Sequence, residues 1–577
     1  MLLRLFAAAA TSLRTEYLVN PLVVSTPFPR FSWVLPTASA RGVVQSAYQL
    51  TVLAGSTSGT LVWDSGKVAS SLQNQVAYAG PPLANDTTFY WTVRWWDGAG
   101  AASPPSAPAF FGTAPGDDGA WAASGSQWIG CTGVGTNSNQ LRLDFSSAAP
   151  PGAALTRATL YVSGLGWNIP YINGRRLSRA VFSPAFTHLR LRVLYTAHDV
   201  LPLLDTRGNN NTLAVELGQG WPNMFHPWEG NVFGEPVWNG TGSAAGAAAT
   251  PAEHARRGMG VGHGKSGYER RLRAWISLRW SDGSTSRVVT SASALGAGAG
   301  GAGGAGAWMC GAGALLADDI YAGVTYDARL ESSGWTSPGF NFSTGAWGAA
   351  VRIAEPGGAM APALAQPVEV TNELPPCGLW ESTPGVYVFD FCQNFAGVVR
   401  LALPGPTAPG TVVTIRHAEA VMHPPYGPKD GTLYYGNLRS AEATDSYTTR
   451  GDPNGEVFTP YFTWHGFRYI SVEGLPFAPT LTSGVVTGLH FRSNAPLVGS
   501  LAFPASANTL NQLQHAIVWT QSANILGNPS DCSFSVRSAA PQITETARVQ
   551  SALYPISAPF NPFPNRPATR RTHGLDR

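Results

Sequence analysis

A chain of 577 residues with a formal net charge of +3 is too long for a single hydrophobic core. Its Lys and Arg residues form no long block, which excludes an electrostatic footprint for nucleic acid or an anionic membrane, and no run of about 18 apolar residues predicts a membrane span. Charged residues make up 12% of the chain and aromatic residues 11%, with 65 Gly and 45 Pro. This balance favours short strands and tight turns, so we expect several β-rich domains with small or neutral partners.

The first strand-rich region runs from Leu13 to Thr113. Segments such as AYQLTVLAG and TTFYWTVRWWDGAG alternate apolar and polar residues and end in Gly, Pro, Asn or Asp, which predicts a small β-sandwich. Trp91 and Trp95 share one face of a predicted strand, because successive side chains alternate. We expect both rings in the core rather than on an exposed platform for sugars.

Two further strand-rich regions follow, from about Trp128 to Ala365 and from Val368 to His490. The first is interrupted by two insertions rich in Gly and Ala, at residues 240–267 and 296–314. These insertions have too few apolar side chains to offset the entropy of ordering, so we expect mobile loops that carry no chemistry.

The period of the apolar residues changes after His490. Leu510, Leu513, Ile517 and Gln521 recur at helical intervals, which predicts an amphipathic helix. Residues 533–577 are rich in Pro and keep no apolar face, so we expect a disordered tail.

The compartment stays open between secreted and cytoplasmic. The N-terminus MLLRLFAAAATS resembles only a weak signal sequence, and strand-like sequence begins directly after it. The cysteines are far apart and include no CxxC pair, so neither a zinc site nor a disulfide framework is predicted. The N-x-S/T triplets would be usable for glycosylation only in a secreted chain, and they lie at Asn85, Asn210, Asn239 and Asn341.

A set of motifs in one order resembles the bacterial-type α-L-rhamnosidases across about residues 13 to 532. The motifs include PRFSW, LYVSGLGWNIPYINGRR, VFDFCQNFAGVVRL, IRHAEA, YYGNLRSAEATDSYT and FTWHGFRYISVEG. The resemblance implies a mainly β protein of tandem β-sandwich and jelly-roll domains, followed by the truncated start of an α/α six-hairpin barrel. The implied domains are an N-terminal extension at 1–12, a fibronectin-type-III-like sandwich at 13–117, a jelly roll at 118–365, a β-sandwich at 366–490, the start of the barrel at 491–532 and a non-family tail at 533–577.

The resemblance implies inverting hydrolysis of terminal α-L-rhamnose from glycosides or polysaccharides. Such hydrolysis needs two carboxyl groups about 6.5–9.5 Å apart, and the family places both in the barrel. Asp531 and Cys532 match the family's Asp-Cys dipeptide, but the residues after it, SFSVR, lack the expected Pro and the glutamate of the general acid. We therefore expect a catalytically incomplete chain with no catalytic residue. A carbohydrate-binding β-sandwich and jelly-roll protein without hydrolase activity is the alternative.

Two residues are candidates for contact with the sugar. Asp531 is either a remnant of a sugar-binding carboxylate or a turn and helix-capping residue. Trp167 either stacks on a sugar ring or packs at a strand edge. No cofactor and no metal ligand is assigned, although calcium in the jelly roll stays open without mapped positions, because Asp318 and Asp319 also suit an exposed turn.

Other polar residues of the third region have competing interpretations. His465 lies between aromatic residues on a predicted strand and is expected to be a satisfied packing residue. The carboxylates of Glu419, Glu442 and Asp445 form a cluster only if separate strands converge. The family commonly has Gly at the position of Cys392, so a cysteine there is costly if the backbone needs a positive φ.

Overall fold

The computed structural model describes residues 8–36, 42–131, 138–207, 210–221, 270–292, 306–343, 346–438 and 441–530. The predicted mainly β fold is confirmed, with one long helix near the end of the described chain. Within these ranges no helix is long and apolar enough to cross a membrane. The start of the N-terminal extension, the first Gly/Ala insertion and the tail at 533–577 lie outside the described residues.

The first region is a β-sandwich of a three-stranded sheet, in the order β1-β2-β6, and a five-stranded sheet in which β4-β3-β7-β8 follow one another and β5 pairs with β3. Trp91 and Trp95 are 1% and 2% exposed between the sheets, so the prediction that they are core residues is confirmed. The strands are β1 Thr11–Thr15, β2 Arg30–Val34, β3 Gln45–Ala54, β4 Thr60–Asp64, β5 Val68–Ala69, β6 Val76–Ala77, β7 Thr88–Asp97 and β8 Ala109–Gly112.

The second region begins with a short helix, α1 (Asp118–Ala123). The side chain of Asp117 caps this helix by accepting a hydrogen bond from the amide of Gly119. The strands that follow in the chain are β9 Ile129–Gly130, β10 Ser138–Phe145, β11 Leu155–Leu165, β12 Trp167–Ile172, β13 Arg175–Arg176, β14 Arg192–Asp199, β15 Asn211–Gly218, β16 Arg271–Trp280, β17 Thr285–Val289, β18 Met309–Ala312, β19 Leu315–Asp319, β20 Gly323–Asp327, β21 Trp347–Ala349, β22 Val351–Arg352 and β23 Ala359–Pro362. Single-turn 3-10 helices lie at Leu201–Leu203 and Ala328–Leu330.

Two sheets enclose the core of this second region. One has the order β13-β12-β15-β10-β18-β21, and the other has the order β22-β9-β16-β11-β14-β23 with β17 paired to β16. Apolar side chains of both sheets, such as Leu141, Leu160 and Ile276, share one buried cluster. The alternation of apolar residues in these strands therefore produces a face-to-face sandwich.

The end of the second Gly/Ala insertion is ordered, which corrects the loop predicted at residues 296–314. Residues 306–314 are described, and they contain β18, which pairs with β10 and β21. Trp308 and Cys310 are buried in the core of the sandwich. These two buried side chains, above all the large ring of Trp308, supply the apolar area that the surrounding Gly and Ala residues lack.

The third region is built on a ten-stranded sheet in the order β19-β20-β30-β27-β32-β26-β33-β24, with β25 and β31 both paired to β26. The hairpin β19–β20 precedes the rest of this sheet in the chain and joins it through parallel pairing of β20 with β30. A 3-10 turn lies at Gly436–Leu438. The strands are β24 Val368–Leu374, β25 Gly378–Thr383, β26 Val386–Leu403, β27 Val412–Ala418, β28 Ala420–Val421, β29 Leu433–Tyr434, β30 Thr444–Thr448, β31 Glu456–Phe458, β32 His465–Glu473 and β33 Val486–Ser493.

The predicted amphipathic helix is present as α2 (Asn508–Ala523), preceded by a 3-10 turn at Ala505–Ala507 and followed by the short strands β34 Ile525–Leu526 and β35 Asn528–Pro529. Trp519 of α2 packs against His490 of β33, with ring centroids 4.8 Å apart. Leu510, Leu513 and Ile517 are exposed, so the apolar stripe is only partly covered within the described chain.

Two disulfide bonds correct the expectation that the cysteines form no such framework. Cys131 pairs with Cys310 across 179 residues, and Cys377 pairs with Cys392 across 15 residues. The wide spacing of these cysteines carried no signal, because the partners meet only when distant strands have paired.

Candidate functional site

A wide bulge in β26 begins the candidate site. Asp390 lies opposite Tyr469 of β32, yet only five residues later Phe395 lies opposite Phe467, so residues 391–394 loop out of the ladder. Cys392 has a φ of +58° inside this bulge, where an L-residue is strained and Gly is favoured. Cys392 therefore lies at a position with a positive φ, where a cysteine is costly in place of the family's Gly. Its disulfide bond to Cys377 connects the bulge to the residue before β25.

Three distant segments meet on the carboxylate of Glu419, directly after β27. Asn394 in the bulge donates from Nδ2 to Oε1 of Glu419 at 2.8 Å. Asn437, in the 3-10 turn after β29, donates from Nδ2 to Oε2 of Glu419 at 3.0 Å. We call these three residues the Glu419 site. It joins the motifs VFDFCQNFAGVVRL, IRHAEA and YYGNLRSAEATDSYT, which lie far apart in the sequence.

The Glu419 carboxyl group is partly withdrawn from water. Burial raises its pKa above the ordinary value, and the hydrogen bonds from Asn394 and Asn437 act in the opposite direction. A carboxylate oxygen has more than one lone pair, so the group retains acceptor capacity after binding one amide on each oxygen. The arrangement suits a fixed acceptor for hydroxyl or amide donors.

An ion pair braces the base of the bulge next to the Glu419 site. Arg468 of β32 donates from Nε and Nη2 to the two oxygens of Asp390, each at 2.8 Å. Burial would raise the pKa of Asp390, but the hydrogen bonds from Arg468 and from the amide of Cys392, together with the charge of Arg468, outweigh burial and lower that pKa. Asp390 also accepts the amide of Cys392 at 2.6 Å, so its carboxylate is committed to holding the bulge.

A second polar cluster lies buried in the same sheet. His417, Asp445 and His465 come from β27, β30 and β32, and their side chains are 0–2% exposed. His465 Nε2 is 3.2 Å from both oxygens of Asp445, and the imidazole rings of His417 and His465 are stacked with centroids 4.1 Å apart. Burial and then the neighbouring His465 lower the pKa of His417 to about 3.

A third polar cluster lies where the second region meets the third. Glu216 of β15 accepts from the hydroxyl of Tyr461 at 3.0 Å and from Asn139 Nδ2 at 3.4 Å. Burial raises the pKa of Glu216 to about 7. Asp318 is fully buried and paired with Arg270, which corrects the expectation of an exposed turn, and burial raises its pKa to about 6.

Of the two residues predicted from the sequence to contact the sugar, only Trp167 is among the described residues. Trp167 is 2% exposed and packs on Phe182 and Trp464, with ring centroids 4.6 and 6.1 Å away. Trp167 therefore packs against aromatic neighbours in this structure. Stacking of its indole ring on a sugar stays a prediction, and it requires the ring to become exposed. Asp531, the other candidate for sugar contact, lies outside the described residues.

The proposed carboxylate cluster of the third region does not form. Among the described residues, Glu419, Glu442 and Asp445 do not make up a group of convergent ligands, and Asp445 instead joins His417 and His465. The expectation for His465 is confirmed, because it is a buried residue with a hydrogen-bond partner. Sequence reasoning missed Asn394 and Asn437, although both lie inside the motifs that carry the resemblance.

The fold and these sites define a protein of tandem β-sandwich regions with a polar site on the ten-stranded sheet of the third region, followed by one long helix. Three family models match: the Rha78A-like N-terminal immunoglobulin domain at 10–117, the alpha-L-rhamnosidase N-terminal domain at 153–241 and 254–372, and the bacterial alpha-L-rhamnosidase concanavalin-like domain at 381–491. The chain is of the α-L-rhamnosidase type.

Two curated relatives are named alpha-L-rhamnosidase. An alpha-L-rhamnosidase of Streptomyces avermitilis is 31% identical over 91% of this chain and 61% of the relative. An alpha-L-rhamnosidase of an Alteromonas species is 28% identical over 90% of this chain and 51% of the relative. The chain thus spans about half to three fifths of the length of these relatives.

Solved structures agree with the family models. The Streptomyces avermitilis alpha-L-rhamnosidase complexed with L-rhamnose matches with a TM-score of 0.73 at 26% identity, covering 94% of this chain and 64% of that one. The alpha-L-rhamnosidase from Dictyoglumus thermophilum matches with a TM-score of 0.72 at 28% identity, covering 91% of this chain and 53% of that one.

Proposed function

We propose that this chain supplies the β-domains of an α-L-rhamnosidase, an inverting hydrolase of terminal α-L-rhamnose, and that it has no turnover by itself. The observation that carries the proposal is the convergence on Glu419. Asn394, Glu419 and Asn437 come from three of the motifs that resemble the family, and the fold joins them through two hydrogen bonds. These motifs therefore belong to one folded site rather than to unrelated fragments.

The absence of turnover follows from the residue types at hand. Inverting hydrolysis needs one acid to protonate the leaving oxygen and a second carboxylate to activate water. Glu419 accepts hydrogen bonds from two amides and Asp390 is paired with Arg468, so both carboxylates hold the fold of the bulge and its neighbours together. The sequence SFSVR after Cys532 offers no glutamate in the place of the family's general acid.

A rate measurement tests the proposal. The purified chain should release the phenol of an aryl α-L-rhamnoside at the rate of buffer alone. Release above that rate, suppressed by free L-rhamnose, would contradict the claim that this chain lacks the hydrolytic acid and base.

Calorimetry with L-rhamnose and rhamnosylated glycans, with and without calcium, separates this proposal from a stand-alone carbohydrate-binding protein. We expect no heat of binding to the isolated chain, because a pocket formed by the β-domains alone is not needed for the proposed role. Saturable binding of one sugar per chain would favour the binding-protein alternative instead.

A further inference from the structure

Three neighbouring strands of the ten-stranded sheet each direct one side chain that can bind a metal to a single buried point. His417 lies on β27, Asp445 on β30 and His465 on β32, and the sheet order places β27 between the other two. One potential ligand atom from each residue lies within 4.8 Å of the other two. We call these residues the His-Asp-His cluster.

The hydrogen bonds of His417 fix its tautomer. Its Nδ1 atom lies 2.9 Å from the carbonyl oxygen of Ala443, which can only accept, so Nδ1 carries the hydrogen and donates it. Nε2 is then an unprotonated acceptor. This atom is buried without a hydrogen-bond partner among the described residues, and it lies 3.8 Å from Oδ2 of Asp445.

The lone pair of His417 therefore faces a carboxylate oxygen, and a buried acceptor without a donor is costly. The carboxylate of Asp445 is itself oriented, since its Oδ1 accepts the amide of Val324 at 2.9 Å. Its Oδ2 lies between the two Nε2 atoms, 3.2 Å from that of His465 and 3.8 Å from that of His417. An electron-pair acceptor between these three atoms would satisfy the lone pair of His417 and would take the place of the hydrogen that Nε2 of His465 donates to Asp445.

We propose that the His-Asp-His cluster binds one divalent first-row transition-metal ion, with Zn²⁺ as the best match to its donors. Two imidazole nitrogens and one carboxylate oxygen are common zinc ligands, and bonds of about 2.0–2.2 Å bring tetrahedral ligand atoms to roughly 3.2–3.6 Å from one another. The observed 3.2 Å is at the lower end of that range, and the observed 3.8 Å lies just above it.

The second nitrogen of His417 supports the same assignment. A metal-binding histidine typically donates its other ring N–H to a backbone carbonyl or a carboxylate, as Nδ1 of His417 does toward Ala443. Calcium prefers an all-oxygen shell of six to eight ligands, which two imidazoles do not provide. The proposal requires two changes: Nε2 of His465, which donates to Asp445 in this structure, releases its hydrogen when the ion binds, and the ring planes, now 27° apart, tilt so that both Nε2 lone pairs point at the ion.

The position in the fold defines the role of the ion. The cluster is closed to solvent, with side chains 0–2% exposed, so the ion is structural rather than catalytic. It would fasten β27 to both of its neighbours two residues before Glu419. The ion thereby holds the end of the strand that carries the Glu419 site.

The test is the metal content of the full chain, prepared without a histidine tag and analysed by inductively coupled plasma mass spectrometry. After chelator treatment, titration with Zn²⁺ and with Co²⁺ should each saturate at one ion per chain, and Co²⁺ should give a visible d–d absorption. Saturation below one tenth of an ion per chain, without that absorption, would overturn the proposal on the wild-type protein alone.

Variants locate the ion. His417→Ala and the more conservative Asp445→Asn should each weaken binding at least ~10-fold, the scale expected even for losses around a metal's ligands. His490→Ala is the matched control, because His490 is another buried histidine of the same sheet outside the cluster, and it should keep one ion per chain. Unchanged binding in a folded His417→Ala or Asp445→Asn variant, verified by circular dichroism, would place the ion elsewhere and refute the assignment.

Discussion

Replacement of Glu216 by Gln is expected to remove a pH dependence from the stability of the chain. Glu216 is 6% exposed, and burial raises its pKa to about 7 from the ordinary 4.5. Between these two values the folded chain binds more protons than the unfolded chain, so the free energy of unfolding falls as pH rises. A pKa shift of this size lowers the free energy of unfolding by about 3 kcal/mol in total once the pH exceeds the pKa of Glu216 in the folded chain.

The Glu216→Gln variant keeps an oxygen that can accept from Tyr461 and Asn139, so its shape and hydrogen bonds are preserved. Denaturant unfolding, followed by tryptophan fluorescence at pH 5 and pH 8, measures the effect. Relative to wild type, Glu216→Gln should gain about 2–3 kcal/mol between those pH values. Asp318 titrates over the same pH range and its charge helps to raise the pKa of Glu216, so the difference between the two proteins measures this coupled pair rather than Glu216 alone. A stability difference that does not change with pH would refute the reasoning.

The remaining predictions concern the cysteines, the Glu419 site and the last helix. Thiol titration of the denatured, unreduced chain should find one free thiol among five cysteines, and Cys131→Ala with Cys310→Ala should cost about 2–4 kcal/mol of stability; five free thiols would refute both bonds. Glu419→Gln should lower the free energy of unfolding by about 1–3 kcal/mol, because the new amide group would face one of the two Asn donors. The control Glu373→Gln, in an exposed pair with Arg400, should lower it by at most about 1 kcal/mol. Equal losses in denaturant unfolding would contradict this expectation. Leu513→Ser on the exposed face of α2 should change stability by less than about 0.5 kcal/mol, while Ile470→Ala in the core should cost about 2–5 kcal/mol; a large loss at Leu513 would show that its face is covered.

The spacing of apolar residues is sufficient to predict strands and helices that bury one face of a regular pattern. The alternation around Trp91 and Trp95 predicted a strand with both rings inside, and the spacing of Leu510, Leu513 and Ile517 predicted α2. It failed for β18, because Gly and Ala dominate that segment and only the pairing of Met309–Ala312 with two neighbouring strands reveals it.

The sites could be predicted only in part, since they depend on contacts between distant strands. The resemblance identified the motifs that contain Asn394, Glu419 and Asn437, but no spacing in the chain shows that the three side chains meet. The disulfides and the His-Asp-His cluster were missed for the same reason. Short-range patterns such as CxxC detect ligands on one turn, whereas His417, Asp445 and His465 come together through the order of three strands.

A chimera tests the central claim most directly. Residues 1–530 of this chain would be joined to the part of the Streptomyces avermitilis relative that lies outside the 61% covered by this chain. The account predicts that the folded chimera hydrolyses an aryl α-L-rhamnoside with inversion at the anomeric carbon, while the 577-residue chain releases product only at the buffer rate. Hydrolysis by the 577-residue chain itself, or a folded chimera without activity, would contradict it.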